Sequence, residues 1–132
     1  AKRLLELVNF PLDKVNTVAK NLTIIDRKIV ELARALATNP KLLLVDEFAA
    51  GLIPKEVEQY NRLFKKLRDD YGITIFWVEH VMRAIMSVCE RIIVLHHGTK
   101  IAEGTPEEIA NNEQVIKAYL GEKYAKYSVK SK

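Results

Sequence analysis

Two short apolar runs in this chain each end abruptly in ionisable side chains. The first run covers residues 41–45 and leads into Asp46 and Glu47, whereas the second covers residues 73–78 and leads into an acid followed by His80. Short runs without polar alternation are typical of strands that are buried on both faces of a sheet. The pattern therefore predicts two buried strands whose ends carry charge.

The segment between the two runs predicts an amphipathic helix over residues 54–70, which Gly72 stops. A strand, a crossover helix and a second strand make a βαβ unit with parallel strands, whose carboxyl ends share one edge. Ligands bind outside such ends in open α/β sheets, so we expect Asp46, Glu47 and His80 to share one site. The apolar stripe that should cover the sheet consists of Val57, Tyr60, Leu63, Phe64 and Leu67.

Helices and one hairpin are predicted around this βαβ unit. Thr23 is suited to cap a helix, and Asp26 follows three residues later, close to a capping box. Thr105, which is followed by proline and two glutamates, predicts another capped helix. The predicted elements are helices over residues 2–9, 23–37 and 80–89, a β-hairpin over residues 91–104, and two short helices after it. The fold class is therefore α/β, with parallel strands, a C-terminal β-hairpin and flanking helices.

Composition fits one soluble globular domain rather than a membrane-spanning or nucleic-acid-binding chain. The 132 residues are 48% hydrophobic and 29% charged, and no apolar run approaches the roughly 18 residues of a membrane span. The net charge of +4 comes entirely from four lysines in residues 123–132. A neutral body with a basic tail favours a solvated end over a nucleic-acid site, so no nucleic-acid partner is expected.

Several other chemically distinctive residues favour structural roles. Phe76 and Trp77 lie inside a predicted central strand, so core packing is expected rather than stacking on a base. Cys89 has no cysteine partner in the chain and is expected to be a small buried residue rather than a nucleophile. A metal site of His96 and His97 with Glu79 is not expected, because adjacent histidines at a turn should point different ways.

The charged strand ends suit phosphoryl transfer. In that chemistry an acidic residue holds Mg²⁺ and a second group positions the attacking water. A histidine on the neighbouring strand can hydrogen-bond the transferred phosphate. A purely structural or solvated role stays open, because strands that end in Asp-Glu are common. Two tandem strands that both end in ionisable pairs favour the chemical interpretation.

These residues also resemble a known family, the ATPases of ATP-binding-cassette (ABC) transporters. Val45-Asp46-Glu47 looks like the Walker B strand with its catalytic glutamate, and Glu79-His80 looks like the switch histidine. The other segments that carry the resemblance are 22–37, similar to the signature and its helix; 49–52, similar to the D-loop; and 101–109 with 118–121, similar to ATPase subunits of branched-chain amino acid importers. The resemblance covers residues 2 to 124.

The resemblance implies a role for each matching residue. Asp46 would hold Mg²⁺, Glu47 would polarise the attacking water, and His80 would contact the γ-phosphate of ATP. The residues that would contact nucleotide are Thr23, Asp26 and Gly51. The resemblance further implies one domain over residues 1–122, made of a helical-subdomain remnant (1–38) and the Walker B to C-terminal part of the ATPase core (39–122), followed by the basic tail (123–132).

The implied parent is an ATP-binding subunit of an ABC importer of the branched-chain amino acid type, which couples Mg-ATP hydrolysis to transport. Its implied partners are the missing N-terminal P-loop half, a second nucleotide-binding subunit or a second copy of this chain, and transmembrane permease subunits. The implied location is cytoplasmic and peripheral to the inner face of the cell membrane.

This chain departs from the family pattern in ways that bear on activity. None of its five glycines begins or completes the G-x-x-x-x-G-K-[ST] motif that cradles phosphates, so this chain alone is expected to be inactive. Ile24 and Ile25 stand where the signature mostly has small residues including glycine, and their bulk blocks close approach to phosphate. Phe48 stands in place of proline, and Ile53 replaces an acidic or amide residue that would cap the next helix.

Two further expectations follow from these departures. Without the P-loop strand, the strand that ends near His80 should either re-pair with the strand near residues 92–95 or drive self-association, because an unpaired edge must be covered. The alternative function is a non-enzymatic α/β scaffold or interaction module, divergent or engineered, that self-associates.

Overall fold

A computed structural model describes residues 2–120, and the chain divides into two compact units, residues 1–84 and residues 85–132. Each unit is described by itself. The single domain that the sequence suggests over residues 1–122 stays a prediction, and the basic tail at 123–132 lies outside the described residues. Within the described part of the chain, no helix is long and apolar enough to cross a bilayer.

The first unit contains the predicted βαβ arrangement. Strands β1 and β2 pair in parallel, from Leu42 opposite Thr74 to Asp46 opposite Val78. This pairing confirms the predicted parallel strands and places their carboxyl ends side by side. The helices and strands of this unit are α1 (Lys2–Leu7), α2 (Ile24–Leu36), β1 (Leu42–Asp46), α3 (Pro54–Asp69) and β2 (Thr74–Val78), with 3-10 turns at Leu12–Lys14 and Ala19–Asn21.

Helix α3 begins and packs as its sequence dictates. Pro54 occupies the first turn, where its missing N–H costs nothing, and the Glu56 carboxylate accepts the Ile53 N–H at 2.8 Å. Ile53 itself provides no side-chain cap, as predicted. The predicted apolar stripe is buried, and Phe64 and Leu67 are fully so. This stripe supplies the core on one face of the β1–β2 sheet.

The opposite face of the β1–β2 sheet corrects one prediction. Leu43 and Val45 are buried, but Leu44 is 70% exposed and Phe76 is 57% exposed. Phe76 was expected in the core, because its run reads as a strand covered on both faces. Since alternate side chains of a strand point to opposite faces, α3 can cover only one set of them. The sheet therefore has one covered and one open apolar face, the latter formed by Leu42, Leu44, Phe76 and Val78.

Helix α4 (Met82–Met86) is shorter than the predicted helix over residues 80–89. It begins late because the backbone N–H groups of His80 and Val81 donate to the Glu79 carboxylate and so form a turn around it. Cys89, which was expected to be buried, is only partly buried.

The second unit contains the predicted hairpin and terminal helices. Strands β3 (Ile92–His96) and β4 (Thr99–Gly104) pair antiparallel, with an irregular register between Val94 and Leu95. Thr105 caps α5 (Pro106–Ala110) in a capping box with Glu108, which confirms the predicted helix start. Helix α6 (Glu113–Leu120) follows.

Strand pairing in the described residues is confined to the two ladders β1–β2 and β3–β4. The predicted re-pairing of the strand that ends near His80 with the strand near residues 92–95 is therefore wrong for this part of the chain. β3 pairs instead with β4, which a short turn places beside it, and among the described residues it pairs with no other strand. Self-association stays a prediction.

Candidate functional site

The structure brings Asp46, Glu47 and His80 together at the carboxyl edge of the β1–β2 sheet. Asp46 ends β1 opposite Val78, and the Glu47 N–H extends the ladder by donating to the Val78 carbonyl at 2.9 Å. His80 Nδ1 lies 3.6 Å from Glu47 Oε1. This distance is too long for a hydrogen bond but close enough for an ion pair when the imidazole is protonated. A carboxylate and an imidazole therefore face the same open space.

The Glu47 and His80 side chains are both accessible to a ligand. They are 61% and 62% exposed, respectively. Asp46 is also exposed, on the open face of the sheet. The exposure of all three side chains leaves them accessible for chemistry.

The backbone of the turn after β1 is unusual. Glu47 has a φ of 43°, in the left-handed region that non-glycine residues seldom adopt. The Glu47 carbonyl accepts the Ala50 N–H at 3.2 Å, and Gly51 follows with a φ of 80°. A side chain at Gly51 would meet nothing within 4 Å, so glycine is required there by backbone conformation rather than by space. Residues 47–51 are called the catalytic turn below, after the role that the family resemblance implies for Glu47.

Glu79 anchors the catalytic turn to the end of β2. Its side chain is fully buried, and its carboxylate accepts the N–H of Ala49 at 2.7 Å, of His80 at 2.9 Å and of Val81 at 3.4 Å. Three donors compensate the cost of burying this charge. Glu79 thus joins the loop that follows β1 to the loop that follows β2.

Lys28 anchors the same turn to helix α2. Its ammonium group donates to the carbonyls of Glu47 at 3.0 Å, Phe48 at 2.9 Å and Ala50 at 2.9 Å. An ammonium group has three N–H donors, and here each of them has an acceptor. The half-buried Lys28 therefore ties helix α2 to the catalytic turn.

Phe48 seats the catalytic turn in the core. It is 8% exposed and meets the rings of Tyr60 and Phe64 edge-on, at centroid distances of 5.0 and 5.3 Å. Burial is also the main reason that the pKa of Tyr60 is raised to about 12. The residue that stands where the family usually has proline is therefore an aromatic anchor.

The polar groups of Thr23 and Asp26 are already used within the protein. The Thr23 hydroxyl accepts the Asp26 N–H at 3.1 Å as the cap of α2. Asp26 is 5% exposed, and its carboxylate accepts from Lys14 at 2.7 Å. This hydrogen bond is the main reason that the pKa of Asp26 is lowered. Among the described residues, neither side chain forms a hydrogen bond or ion pair with Asp46, Glu47 or His80.

The residues present fit one side of a Mg-ATP site. Exposed carboxylate oxygens at the sheet edge are the ligands that Mg²⁺ prefers, and it needs only one or two of them beside phosphate oxygens. Across residues 2–120, no group of three potential metal ligands forms a ready-made cage. The phosphate side does not fit, because the chain has no glycine-rich cradle and Ile24, which is 64% exposed, stands at the start of α2.

Two residues of this site, Glu79 and Lys28, were given no role of their own from the sequence. Glu79 directly follows strand β2 and precedes His80. From this position a buried carboxylate that accepts backbone N–H groups could have been predicted. Lys28 gave no signal, because a lysine on an amphipathic helix usually belongs to its solvated face. Only the fold shows that it reaches three carbonyls far along the chain.

Comparisons with known proteins identify the family that this chain is similar to. A family model described as branched-chain amino acid ATP-binding cassette transporter matches residues 99–125. The chain is 46% identical over 111 residues to LivG, a high-affinity branched-chain amino acid transport ATP-binding protein of Salmonella typhimurium; the match covers 84% of this chain and 44% of LivG. The chain therefore spans less than half the length of the curated relatives it matches.

Solved structures of ATP-binding cassettes share the fold. The ADP conformation of MJ1267, an ATP-binding cassette of an ABC transporter, has a TM-score of 0.78 and 28% identity, covering 91% of this chain and 48% of that one. A dimeric, post-hydrolysis structure of the cassette MJ0796 bound to ADP and Pi has a TM-score of 0.72 and 30% identity, covering 80% of this chain and 45% of that one. These likenesses confirm a partial P-loop NTPase-like fold.

Proposed function

Because this chain belongs to the ATP-binding subunits of ABC transporters of the branched-chain amino acid type, as a C-terminal portion, we propose that it supplies the water-activating half of an ATPase site. The parent protein would couple Mg-ATP hydrolysis to import of a branched-chain amino acid. The observation that carries the proposal is the meeting of Asp46, Glu47 and His80 at one sheet edge. No comparison favours the alternative of a scaffold module.

Each of the three residues has a distinct part in this chemistry. Bound Mg-ATP would supply the phosphoryl group and the metal charge that neutralises it. Asp46 would hold the metal ion through its carboxylate. Glu47 would orient a water molecule and polarise it, and its exposed carboxylate is free to accept that hydrogen bond. His80 would donate a hydrogen bond to a phosphate oxygen from the neighbouring strand.

The phosphate cradle would come from a P-loop-bearing N-terminal half. The open apolar face of Leu42, Leu44, Phe76 and Val78 supports this proposal, because contiguous exposed apolar side chains mark surfaces that a partner covers. Within its two-stranded sheet, β2 also pairs only with β1, which leaves one hydrogen-bonding edge for another strand. Without that half, this chain alone should not hydrolyse ATP.

The remaining partners follow from the family. We propose a second nucleotide-binding subunit, as in the dimeric MJ0796 structure, and transmembrane permease subunits at the cytoplasmic face of the membrane. Thr23 and Asp26 would lie near the nucleotide of the opposite subunit. Their hydroxyl and carboxylate are engaged by Asp26 N–H and Lys14, respectively, so any such contact is expected to be weak.

Titration calorimetry with Mg-ATP tests the proposal. The samples are this chain alone, a P-loop-bearing N-terminal half alone, and an equimolar mixture of the two. We expect no binding heat from this chain alone and clearly tighter binding by the mixture than by the N-terminal half. Equal affinity of the mixture and the N-terminal half would contradict the proposed complementation.

A further inference from the structure

Two side chains of opposite charge, Lys28 and Glu79, form hydrogen bonds with the backbone of the catalytic turn. Lys28 donates to its carbonyls at Glu47, Phe48 and Ala50, at distances of 2.9 to 3.0 Å. On the amide side, the buried carboxylate of Glu79 accepts the Ala49 N–H at 2.7 Å. A cation on the carbonyls and an anion on the amide define a single orientation of this turn.

These hydrogen bonds hold the Glu47 backbone in a strained conformation that it would otherwise leave. Glu47 is held at a φ of 43°, where its Cβ crowds the backbone. A strained conformation of this kind persists only when surrounding contacts over-determine it. The contacts here are the Lys28 bond to the Glu47 carbonyl and the Val78 bond to the Glu47 N–H. The direction of the Glu47 carboxylate depends on that φ.

The two anchors come from different elements. Lys28 lies on helix α2, five residues after the Thr23 cap, whereas Glu79 follows strand β2 and precedes His80. The backbone N–H of His80 also donates to the Glu79 carboxylate, at 2.9 Å. One buried carboxylate therefore fixes the loops of both Glu47 and His80, and one ammonium group fixes Glu47 relative to α2.

We infer that Lys28 and Glu79 are positioning residues that hold the Glu47 carboxylate beside His80. This inference rests on the proposed function of Glu47 for its catalytic meaning, but the hydrogen bonds themselves are a property of this chain alone. A displacement of α2 would strain three hydrogen bonds of Lys28 and so redirect Glu47. The start of α2, although its own polar groups are engaged, would in this way control the water-activating residue.

Amide hydrogen exchange by NMR on this chain tests these hydrogen bonds without any nucleotide. Lys28→Met keeps the stem of the side chain and removes its donors. We expect the amides of Glu47 and Ala49 to exchange about tenfold faster in this variant, relative to the amide of the fully buried Leu67. Arg27→Met is the matched control, an exposed cation on the same helix, and should leave that ratio unchanged.

Three comparisons decide the outcome of the exchange experiment. Equal acceleration at Glu47, Ala49 and Leu67 would indicate a global loss of stability and would overturn the positioning role. Lys28→Arg should restore part of the protection, because guanidinium also donates to carbonyls. Glu79→Gln, which places an amide NH₂ among N–H donors, should accelerate Ala49 specifically, and an unchanged Ala49 would also overturn the proposal.

Steady-state kinetics of the mixture with a P-loop-bearing half add the catalytic readout. Lys28→Met should lower kcat about tenfold or more while KM for ATP stays near its original value, because the three donors of the Lys28 ammonium group are all bound to carbonyls of the turn. A raised KM with unchanged kcat would contradict a role in positioning Glu47. If the mixture hydrolyses no ATP at all, the proposed function fails, and the exchange result still decides whether Lys28 and Glu79 hold the turn.

Discussion

The catalytic turn and the start of α2 both carry residues that the family resemblance assigns to nucleotide, and the two regions use their polar side chains in opposite ways. In the turn, the backbone is satisfied by Lys28 and Glu79, so the Glu47 carboxylate remains exposed. At the start of α2, the side chains of Thr23 and Asp26 are themselves used in hydrogen bonds within the protein. A polar side chain is therefore available to a ligand only when other groups satisfy the hydrogen bonds of the protein around it.

The largest expected effect concerns the aromatic anchor of the catalytic turn. Phe48→Ala removes the edge-on contacts with Tyr60 and Phe64, and we expect it to lower the free energy of unfolding by about 3 kcal/mol. Urea denaturation measures this change. Ile53→Ala is the control, because Ile53 is 58% exposed, and it should change stability by less than about 0.5 kcal/mol. Equal losses in the two variants would mean that the turn is not seated in the core.

The next effect concerns Asp26, the buried carboxylate in the first turn of α2. Asp26→Asn replaces the ion pair with Lys14 by a weaker contact and should lower the free energy of unfolding by about 1–2 kcal/mol at neutral pH. The folded-state pKa of Asp26 is lowered, so its stabilisation is present above the unfolded pKa of about 4 and is lost as the pH falls through the folded value.

A series of urea denaturations from pH 7 downwards tests this dependence. The difference between the wild-type chain and Asp26→Asn should shrink at low pH. The same series with Asp13→Asn, an exposed carboxylate in the preceding 3-10 turn, should show little difference at any pH. A pH-independent difference for Asp26→Asn would refute the assignment of its stabilisation to a charged carboxylate.

Thr23 should have a smaller, purely capping effect in the absence of nucleotide. Thr23→Ala leaves the Asp26 N–H without its acceptor and should lower the free energy of unfolding by about 1 kcal/mol. Thr23→Ser keeps the hydroxyl and should stay close to the wild-type value. If Thr23→Ala were as stable as Thr23→Ser, the hydroxyl would be available for a ligand and the contrast between the two regions would weaken.

The smallest expected effect is a gain in stability at the strained residue. Glu47→Gly removes the Cβ that crowds a left-handed backbone, so it should be more stable than Glu47→Ala by about 0.5–1 kcal/mol. Both variants lack the carboxylate, so the comparison isolates the backbone. Thermal unfolding of the two proteins measures it. A more stable alanine variant would show that Glu47 is not held in the left-handed region in solution.

Local patterns were sufficient to predict the elements that position the site. Residue spacing within single elements predicts the apolar stripe of α3 and the helix caps at Thr23 and Thr105. The strand–helix–strand order predicts that β1 and β2 are parallel. The common edge of Asp46, Glu47 and His80 follows from that order without further information. These features depend on neighbours in sequence or on one short crossover.

The features that could not be predicted depend on what lies across the fold. Phe76 reads as a core residue, and it is exposed because nothing described covers its face of the sheet. Lys28 reads as a solvated cation, yet it reaches carbonyls about twenty residues further along the chain. Glu79 delays the start of the predicted helix over residues 80–89, because its carboxylate accepts the N–H groups of His80 and Val81. Long-range contacts of single polar groups leave no periodic signal.

The most direct test of the account is steady-state ATP hydrolysis by this chain mixed with a P-loop-bearing N-terminal half. We predict Mg²⁺-dependent turnover by the mixture, none by this chain alone, and a loss of at least about a hundredfold with Glu47→Gln. Glu31→Gln, an exposed carboxylate on α2, should leave turnover unchanged. Turnover by the mixture that survives Glu47→Gln would contradict the claim that this turn supplies the water-activating half of the site.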